Sequence, residues 1–377
     1  MRRQRLFLIT ILALLAFPQH ALANSGTPLI WATVFHLFFG NTLIGLGEGW
    51  LLAKLYQVPK LKSLLVMIAA NYTSAWFGVF FVENLVIRSM PLDLNNGWRW
   101  FWMMVVATYC MTLVLEWPFI AWCFRGAQDW WRRSLKATLV TQSASYIVLF
   151  GWYWMASGTS LYTQMNIVKP ADLSLPESVL VYFIDPADGN VYRSHLSGTD
   201  RQKVYELHST DSNDRLFARP NAVDTNCWDL VARLVTADDQ KPNLVNILTN
   251  MQVEATPDWR RDHDDERPSQ LGPRLNFGRA QKLGSATNSH WEFQSRLWAI
   301  DGLRATDTTT RKTTRLVYET QFTAWTVRNA VHLPTDLALF QLGEDQICVF
   351  DPANKKVALL WHGRGPVPVI EKHGVVK

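Results

Sequence analysis

Three glutamates lie inside long apolar stretches of the chain, at positions 48, 83 and 116. An ionisable side chain in such a stretch is costly in hydrocarbon and is a candidate for function by default. A buried carboxylate either keeps a proton or pairs with a cation, because burial disfavours its charged form. These glutamates are therefore the first residues to examine for chemistry.

The depth of each polar side chain follows from its distance to the nearest basic residue. Glu48 and Glu116 lie six and nine residues before the next lysine or arginine, whereas Asn71 and Gln142 lie nine and six residues after the preceding lysine. At about 1.5 Å per residue, all four fall roughly 9–14 Å from one edge of a helical bundle. We therefore predict an intramembrane polar cluster of Glu48, Asn71, Glu116 and Gln142.

Two interpretations of this cluster remain open. Two carboxylates at one depth cannot both ionise cheaply, so Glu48 and Glu116 could hold a proton or a cation, with Asn71 as a neutral ligand. Alternatively, the same groups only join helices by hydrogen bonds, beside the small-residue contact face Gly45-x-x-x-Gly49.

A second polar layer is expected nearer the opposite edge, formed by His36, Glu83 and Asn84. A metal or haem site on His36 is not expected, because no second histidine accompanies it in the apolar stretches. Elsewhere the sequence lacks the motifs of zinc proteases, P-loops, dinucleotide-binding folds and serine hydrolases. We predict no metal and no cofactor, and catalytic residues stay unknown.

The elements that must position these side chains are four apolar stretches, at 28–55, 63–87, 99–124 and 137–161. Each approaches or exceeds the ~20 residues that a bilayer core requires, so about four transmembrane helices are expected, forming a domain over 28–161. The fourth stretch begins with two polar turns. Many of the 18 tryptophans flank these stretches, as in interfacial aromatic belts.

The N-terminus has the pattern of a secretory signal peptide over residues 1–23. Arg2, Arg3 and Arg5 precede a short apolar run that ends before Ala21-Leu22-Ala23, a small-x-small cleavage site. The alternative is a first transmembrane helix that is not cut. The apolar run is too short to span a bilayer comfortably, which favours cleavage.

The loop charges predict the orientation. Lysines and arginines concentrate in the connections 54–62 and 125–136, and such connections face the cytoplasm. We therefore expect a multi-pass protein of the cytoplasmic (inner) membrane with its C-terminal domain on the periplasmic side. Five spans would instead give a cytoplasmic C-terminal domain.

The last two hundred residues have a different pattern. After a proline-containing linker at 163–177, short β-rich runs alternate with Gly, Asp, Pro and Ser turns, which predicts an all-β domain over 178–377. Its two cysteines, Cys227 and Cys348, could form a disulfide or remain two buried thiols. Near the end, Gly363-Arg364-Gly365-Pro366 is typical of a turn, although the planar guanidinium of Arg364 could donate hydrogen bonds to an anion.

One short pattern recurs within this domain. The run Asp185-Pro-Ala-Asp-Gly-Asn-Val191 is echoed by Asp351-Pro-Ala-Asn-Lys-Lys-Val357, each between two apolar runs. The offset of 166 residues is about four blades of a β-propeller. The first of these units resembles the repeat of TolB-like β-propellers, and the resemblance implies a propeller-like fold. Propellers commonly bind partners on their rims and need no catalytic residue.

Three functions are compatible with these features. The helices could anchor an extracytoplasmic propeller-like domain that binds a protein, peptide or glycan. They could instead conduct or transport protons or cations through Glu48 and Glu116. A membrane enzyme of unknown reaction is the third possibility, although an enzyme is the less favoured class. Membrane lipid is an expected partner, and the modest net charge of +5 gives no reason to expect nucleic acid.

Overall fold

A computed structural model describes residues 28–82, 90–157, 164–235, 243–257, 278–284, 289–295, 302–320 and 324–372. The predicted signal peptide, 1–23, lies outside the described residues, as do Glu83 and Asn84. The chain divides into two compact units. The helical unit comprises residues 1–92, 98–158 and 320–323, and the β unit comprises residues 93–97, 159–319 and 324–377.

The described part of the helical unit consists of five α-helices and two short π-helical segments. They are α1 (Pro28–Phe35), π1 (His36–Gly40), α2 (Asn41–Tyr56), α3 (Lys60–Phe77), π2 (Gly78–Val82), α4 (Gly97–Cys123) and α5 (Trp130–Ala156). Helix α2 ends because Gln57 adopts a left-handed conformation, with φ of 57°, which stops helical propagation. Pro59 then precedes the first turn of α3.

The prediction of about four transmembrane helices over 28–161 is wrong. Within the described residues, two segments are long and apolar enough to cross a membrane by length and composition, Lys60–Phe81 and Gly97–Cys123. The stretch predicted at 28–55 is divided by π1, which leaves α2 with 16 residues. Helix α5 is less apolar because one of its faces carries buried serines, threonines and Gln142.

The helical unit buries several polar side chains beside an apolar core that includes Leu52, Met67 and Ile120, and it exposes many large apolar side chains. Its buried residues include Glu48, Asn71, Glu116 and Gln142, whereas large hydrophobic side chains such as Leu65 and Val114 are exposed. Water-soluble proteins rarely expose so much apolar surface, because burying it drives their folding. The surface of this unit therefore matches an apolar surrounding.

Two glycines bring α2 against the backbone of α3. A Cβ placed on Gly45 would lie 2.7 Å from the Cα of Ile68, and one on Gly49 would lie 2.7 Å from the Cα of Leu64. The two helices can approach this closely only where no side chain intervenes. The predicted Gly45-x-x-x-Gly49 motif is thus the α2–α3 contact, and Glu48 lies within it.

The β unit contains twenty strands among its described residues. They are β1 (Asn166–Ile167), β2 (Val179–Ile184), β3 (Val191–His195), β4 (Gln202–Tyr205), β5 (Arg215–Pro220), β6 (Trp228–Leu234), β7 (Asn243–Met251), β8 (Val253–Ala255), β9 (Gly278–Arg279), β10 (Gln281–Lys282), β11 (Trp291–Ser295), β12 (Leu303–Asp307), β13 (Thr313–Leu316), β14 (Tyr318–Glu319), β15 (Ala324–Trp325), β16 (Val327–His332), β17 (Ala338–Leu342), β18 (Gln346–Asp351), β19 (Lys356–His362) and β20 (Arg364–Glu371).

These strands form five sheets within the described part of the chain. Their orders are β1-β19-β18-β17-β16-β10, β13-β12-β11-β9, β14-β15, β4-β3-β2-β20-β8 and β5-β6-β7. Most neighbours are antiparallel, although β1 pairs with β19 and β10 with β16 in parallel. A β domain is therefore present, as the alternation of strands and turns predicted.

The propeller-like arrangement predicted for this domain is not found, because the described strands form neither a closed propeller nor a closed barrel. The repeated heptapeptide has a local explanation. Asp185 and Asp351 each begin the turn of an antiparallel hairpin, β2–β3 and β18–β19. Each aspartate accepts a hydrogen bond from a backbone N–H of its own turn, at 2.9 Å from Ala187 and 3.1 Å from Asn354. The pattern therefore marks a shared turn type.

Two further features of the β unit were addressed by the sequence, the linker and the cysteines. The predicted linker at 163–177 is largely part of the fold, since β1 pairs with β19 and Leu173 is buried in a hydrophobic core. Of the two alternatives for the cysteines, a disulfide or two buried thiols, the structure shows the second, since Cys227 and Cys348 are both free and buried. Cys227 contacts Asp224 in the turn before β6, whereas Cys348 lies in the middle of β18.

A short segment between helices in the sequence belongs to the β unit. Residues 93–97 precede or begin α4, yet Leu94 is fully buried among core residues of the β unit. Its backbone N–H donates to Oε1 of Gln346 at 2.6 Å. Asp93 lies beside His362, with 3.9 Å between Oδ2 and Nε2.

Candidate functional site

The structure brings together the four residues of the predicted intramembrane cluster. Asn71 Nδ2 donates to Glu48 Oε2 at 2.5 Å, joining α3 to α2. Gln142 Nε2 donates to Glu116 Oε2 at 2.5 Å, joining α5 to α4. Each amide therefore holds one carboxyl group, and the four residues together connect the four longer helices.

The Asn71 amide has one possible orientation. Its nitrogen also donates to the backbone carbonyl of Met67 at 2.9 Å, and a carbonyl can only accept. The atom that faces Glu48 Oε2 is therefore an N–H donor. Asn71 stabilises the carboxyl group of Glu48 as a donor and does not offer its own oxygen to that group.

Ser74 is the second partner of Glu116. Its Oγ lies 2.6 Å from Glu116 Oε1 and also 3.1 Å from the backbone carbonyl of Asn71. A serine hydroxyl carries a single hydrogen. If that hydrogen points to the Asn71 carbonyl, Glu116 must itself be protonated and donate to Ser74. If Glu116 is ionised, the hydroxyl turns and donates to it.

The surroundings of Glu48 are less complete. Ser145 lies close to Glu48, but its hydroxyl donates to the backbone carbonyl of Gln142 at 3.0 Å. Among the described residues, Glu48 Oε1 has no hydrogen-bond partner although it is fully buried. A buried carboxylate oxygen without a donor is costly, and protonation of this carboxyl group would remove the negative charge from that oxygen.

In the described part of the chain, no compensating positive charge accompanies the two carboxyl groups. Within the described residues, neither Glu48 nor Glu116 forms an ion pair with a lysine, arginine or histidine, and the two act electrostatically on one another. Glu48 is 2% exposed and Glu116 is 0% exposed. Two unpaired charges in such a setting would cost several kcal/mol each, by an order-of-magnitude estimate. The pair is therefore best satisfied when it retains a proton.

The second predicted layer is only partly within the described residues. His36 lies in π1 and its Nδ1 is 2.7 Å from Oη of Tyr153 on α5, with the two rings edge to face. Its predicted neighbours Glu83 and Asn84 lie outside the described residues. In the part of the chain that the structure describes, no group of three or more His, Cys, Asp or Glu residues is placed to hold a metal ion.

Two residues of the site were missed by sequence reasoning. Ser74 and Ser145 each lie three residues after a predicted member, Asn71 and Gln142, on the same face of α3 and α5. That spacing was the available signal, since residues at i and i+3 are neighbours on a helix.

No protein-family model matches this sequence, and no curated protein matches it either.

Proposed function

We propose that the protein is a membrane protein whose helical unit binds and conducts protons through the carboxyl pair of Glu48 and Glu116. The observation that carries this proposal is the set of donors around two buried carboxyl groups that lack a cationic partner among the described residues. A carboxyl pair in a low-dielectric site can hold one proton between its members and release it as the surroundings change.

A proton fits this site better than a metal cation. A cation needs oxygen ligands directed towards it, whereas Asn71 and Gln142 direct N–H groups at the carboxylates. The Ser74 hydroxyl can reverse its hydrogen bond as Glu116 gains or loses a proton, so both states are satisfied without movement of a helix. The donor set therefore supports proton binding over cation transport.

A membrane location is part of the proposal. It is supported by the two segments long and apolar enough to span a bilayer and by the many large apolar side chains exposed on the helical unit. Four aromatic rings of the helical unit lie under basic side chains: Trp50 with Lys54, Trp122 with Lys62, Trp131 with Arg132, and Phe124 with Arg133. Such pairs are typical of the interface between lipid headgroups and hydrocarbon. The inner membrane and the periplasmic side for the β unit stay predictions.

The test is proton flux through the purified full chain in liposomes that contain a pH-sensitive dye. A pH gradient is imposed, and the membrane potential is clamped with potassium and valinomycin. We expect the native protein to dissipate the gradient and Glu116→Gln to slow that flux by at least about ten-fold, equivalent to about 1.4 kcal/mol. Glutamine preserves the shape of the side chain and cannot release a proton.

The matched control is Thr73→Val, one residue from Ser74 on the exposed side of α3. This variant should conduct as the native protein does, because the hydrogen bond of the Thr73 side chain among the described residues is to its own helix, at the Ala69 carbonyl. Gel filtration and circular dichroism establish that each variant is folded before its flux is compared. No flux through the native protein, or an undiminished flux through folded Glu116→Gln, would contradict the proposal.

Binding of a protein, peptide or glycan by the β unit is a second candidate with less support. Among the described residues, the large hydrophobic side chains that are exposed in this unit are Val223 and Leu244, whereas the helical unit exposes many. A partner that binds the β unit would therefore be recognised mainly by polar groups. Recovery of a stoichiometric partner in mild detergent, lost on deletion of residues 178–377, would support this alternative.

A further inference from the structure

A network of buried polar side chains lies where β5, β16, β17 and β20 meet in the β unit. Arg328 and Asn329 are on β16, Gln341 is on β17 and Arg364 begins β20. All four are at least nine-tenths buried. Gln341 Oε1 connects the strands, because it accepts from Asn329 Nδ2 at 3.2 Å and from the Gly365 backbone N–H at 2.9 Å. We call these four residues the arginine network.

The two guanidinium groups of this network are paired with carbonyl oxygens. Arg328 donates twice to the Gly343 carbonyl, at 3.2 and 2.9 Å. Arg364 donates to the carbonyls of Asp211 and Ser209. Among the described residues, neither side chain forms an ion pair with a carboxylate. The carboxylate of Glu344 acts on Arg328 electrostatically, although no ion pair joins them among the described residues. The two buried positive charges are therefore only partly offset, which is an unfavourable arrangement.

A third arginine lies beside the network. Arg215 begins β5 and is buried, and the close approach of Gly365 places the two backbones together, since a Cβ on Gly365 would lie 2.8 Å from Arg215 Cα. Burial, together with the charges of Arg233 and Arg328, lowers the pKa of Arg215 to about 9. The nearby Asp214 carboxylate already accepts from Ser209 Oγ and from two backbone N–H groups.

Two buried atoms of the network show what a ligand would have to offer. Within the described residues, Arg364 Nε has no acceptor and Asn329 Oδ1 has no donor. Asn329 is also held in the left-handed region, with φ of 53°, at a bulge in the pairing of β16 with β17. Such strain in a buried polar residue often marks a functional position.

We propose that the arginine network is a binding site for the hydrogen phosphate ion. Its oxygens would accept from Arg364 Nε and offset the buried guanidinium charges, as guanidinium groups commonly do for phosphate. Its remaining hydroxyl would donate to Asn329 Oδ1. Sulfate has the same shape and the same charge at about pH 8, but it carries no hydrogen for Asn329.

The experiment is calorimetric titration of the full chain, purified and dialysed without phosphate, at fixed ionic strength and about pH 8. Phosphate released on denaturation is assayed on the same sample, so that an ion retained during purification is counted. We expect one phosphate ion to bind to each protein chain. Sulfate should bind about ten-fold more weakly, because it leaves the Asn329 oxygen without a donor. Methyl phosphate, a dianion at this pH, should behave as sulfate does, which separates a site for the free ion from one for a phosphate ester.

Two variants and one control test the assignment of atoms. Asn329→Gly tolerates the positive φ and should bind phosphate and sulfate equally. Arg364→Lys keeps the charge but removes the Nε–H donor, and should weaken phosphate binding about ten-fold or more. Arg279→Gln removes a guanidinium that is exposed and paired with Glu292, and should bind as the native chain does. The proposal is overturned if the native chain neither binds nor retains phosphate. It is also overturned if the native chain binds sulfate or methyl phosphate as tightly as phosphate, or if the Asn329→Gly variant still prefers phosphate to sulfate.

Discussion

Asn71 and Ser74 lie three residues apart on α3 and hydrogen bond to different glutamates, Asn71 to Glu48 on α2 and Ser74 to Glu116 on α4. One face of a single helix therefore contacts both carboxyl groups. The Ser74 hydroxyl can also donate to the backbone carbonyl of Asn71. A change in the protonation of Glu116 therefore alters a hydrogen bond of Asn71, the residue that donates to Glu48. This relationship is the structural basis for treating the two carboxyl groups as one site.

The close packing of α2 on α3 predicts a large difference between neighbouring glycines. Gly45→Ala would place a methyl group 2.7 Å from the Ile68 backbone and should destabilise the helical unit by roughly 1–3 kcal/mol, since overpacking forces the helices apart. Gly47→Ala is the matched control, because a Cβ there meets nothing within 4 Å. Thermal unfolding in detergent measures both. Equal midpoints for the two variants would show that the glycine contact is unimportant.

Replacing one member of the Glu48–Asn71 pair should reduce stability more than replacing both. Asn71→Leu leaves Glu48 without its amide donor, and we expect a loss of about 1–3 kcal/mol in stability. The double variant Glu48→Met with Asn71→Leu replaces both partners by apolar groups and should recover much of that loss. Thermal unfolding of the native chain, the two single variants and the double variant gives a double-mutant cycle. Additive losses would mean that the two side chains are not energetically coupled.

The sequence predicted which residues of this site lie together, but it did not predict the helices that carry them correctly. The depths of Glu48, Asn71, Glu116 and Gln142 followed from the constant rise of a helix, and the structure joins them in two hydrogen-bonded pairs. The pairing itself depends on how the helices are rotated, which the spacing does not determine. The number of spans was overestimated because an apolar stretch was equated with a continuous apolar helix, whereas π1 interrupts the first stretch and α5 has a polar face.

Buried His332 predicts a loss of stability in acid. Burial, with the charge of Lys282 nearby, lowers the pKa of His332 from 6.5 to about 4. The unfolded chain then binds more protons than the folded one between these values, so the stabilisation is complete above pH 6.5 and is lost as the pH falls through this window. Replacement by glutamine should give a flatter dependence of unfolding temperature on pH between 6.5 and about 4. A profile parallel to that of the native chain would exclude this role.

His362 predicts the opposite dependence. A hydrogen bond to Asp345, at 3.1 Å, raises the pKa of His362 above 6.5, and the charges of Asp345, Asp93 and Asp185 act in the same direction. Its stabilising effect is therefore complete below pH 6.5 and is lost as the pH rises through the higher value of the folded state. His362→Gln should lower the unfolding temperature of the full chain in mildly acidic buffer and leave it unchanged in alkaline buffer. A difference that is constant with pH would contradict this account.

The β unit was predicted as a class of structure but not as an arrangement. Alternating apolar runs and Gly or Asp turns identified strands such as β2, β3 and β18, because the turn residues have specific conformational preferences. The pairing of β2 with β20, near opposite ends of this unit in sequence, has no local signal. The Asp351 echo of Asp185 identified two hairpin turns correctly and suggested a propeller incorrectly, since a turn type recurs independently of the sheet order.

The most direct measurement of the central claim is the infrared spectrum of the carboxyl groups in the reconstituted full chain. If Glu48 and Glu116 share a proton, the native protein at neutral pH should show the carbonyl stretching band of a buried protonated carboxylic acid, shifted in deuterated water. The Glu48→Gln, Glu116→Gln double variant should lack that band. A native spectrum without the band, or a band that persists in the double variant, would contradict the assignment of a shared proton to this pair.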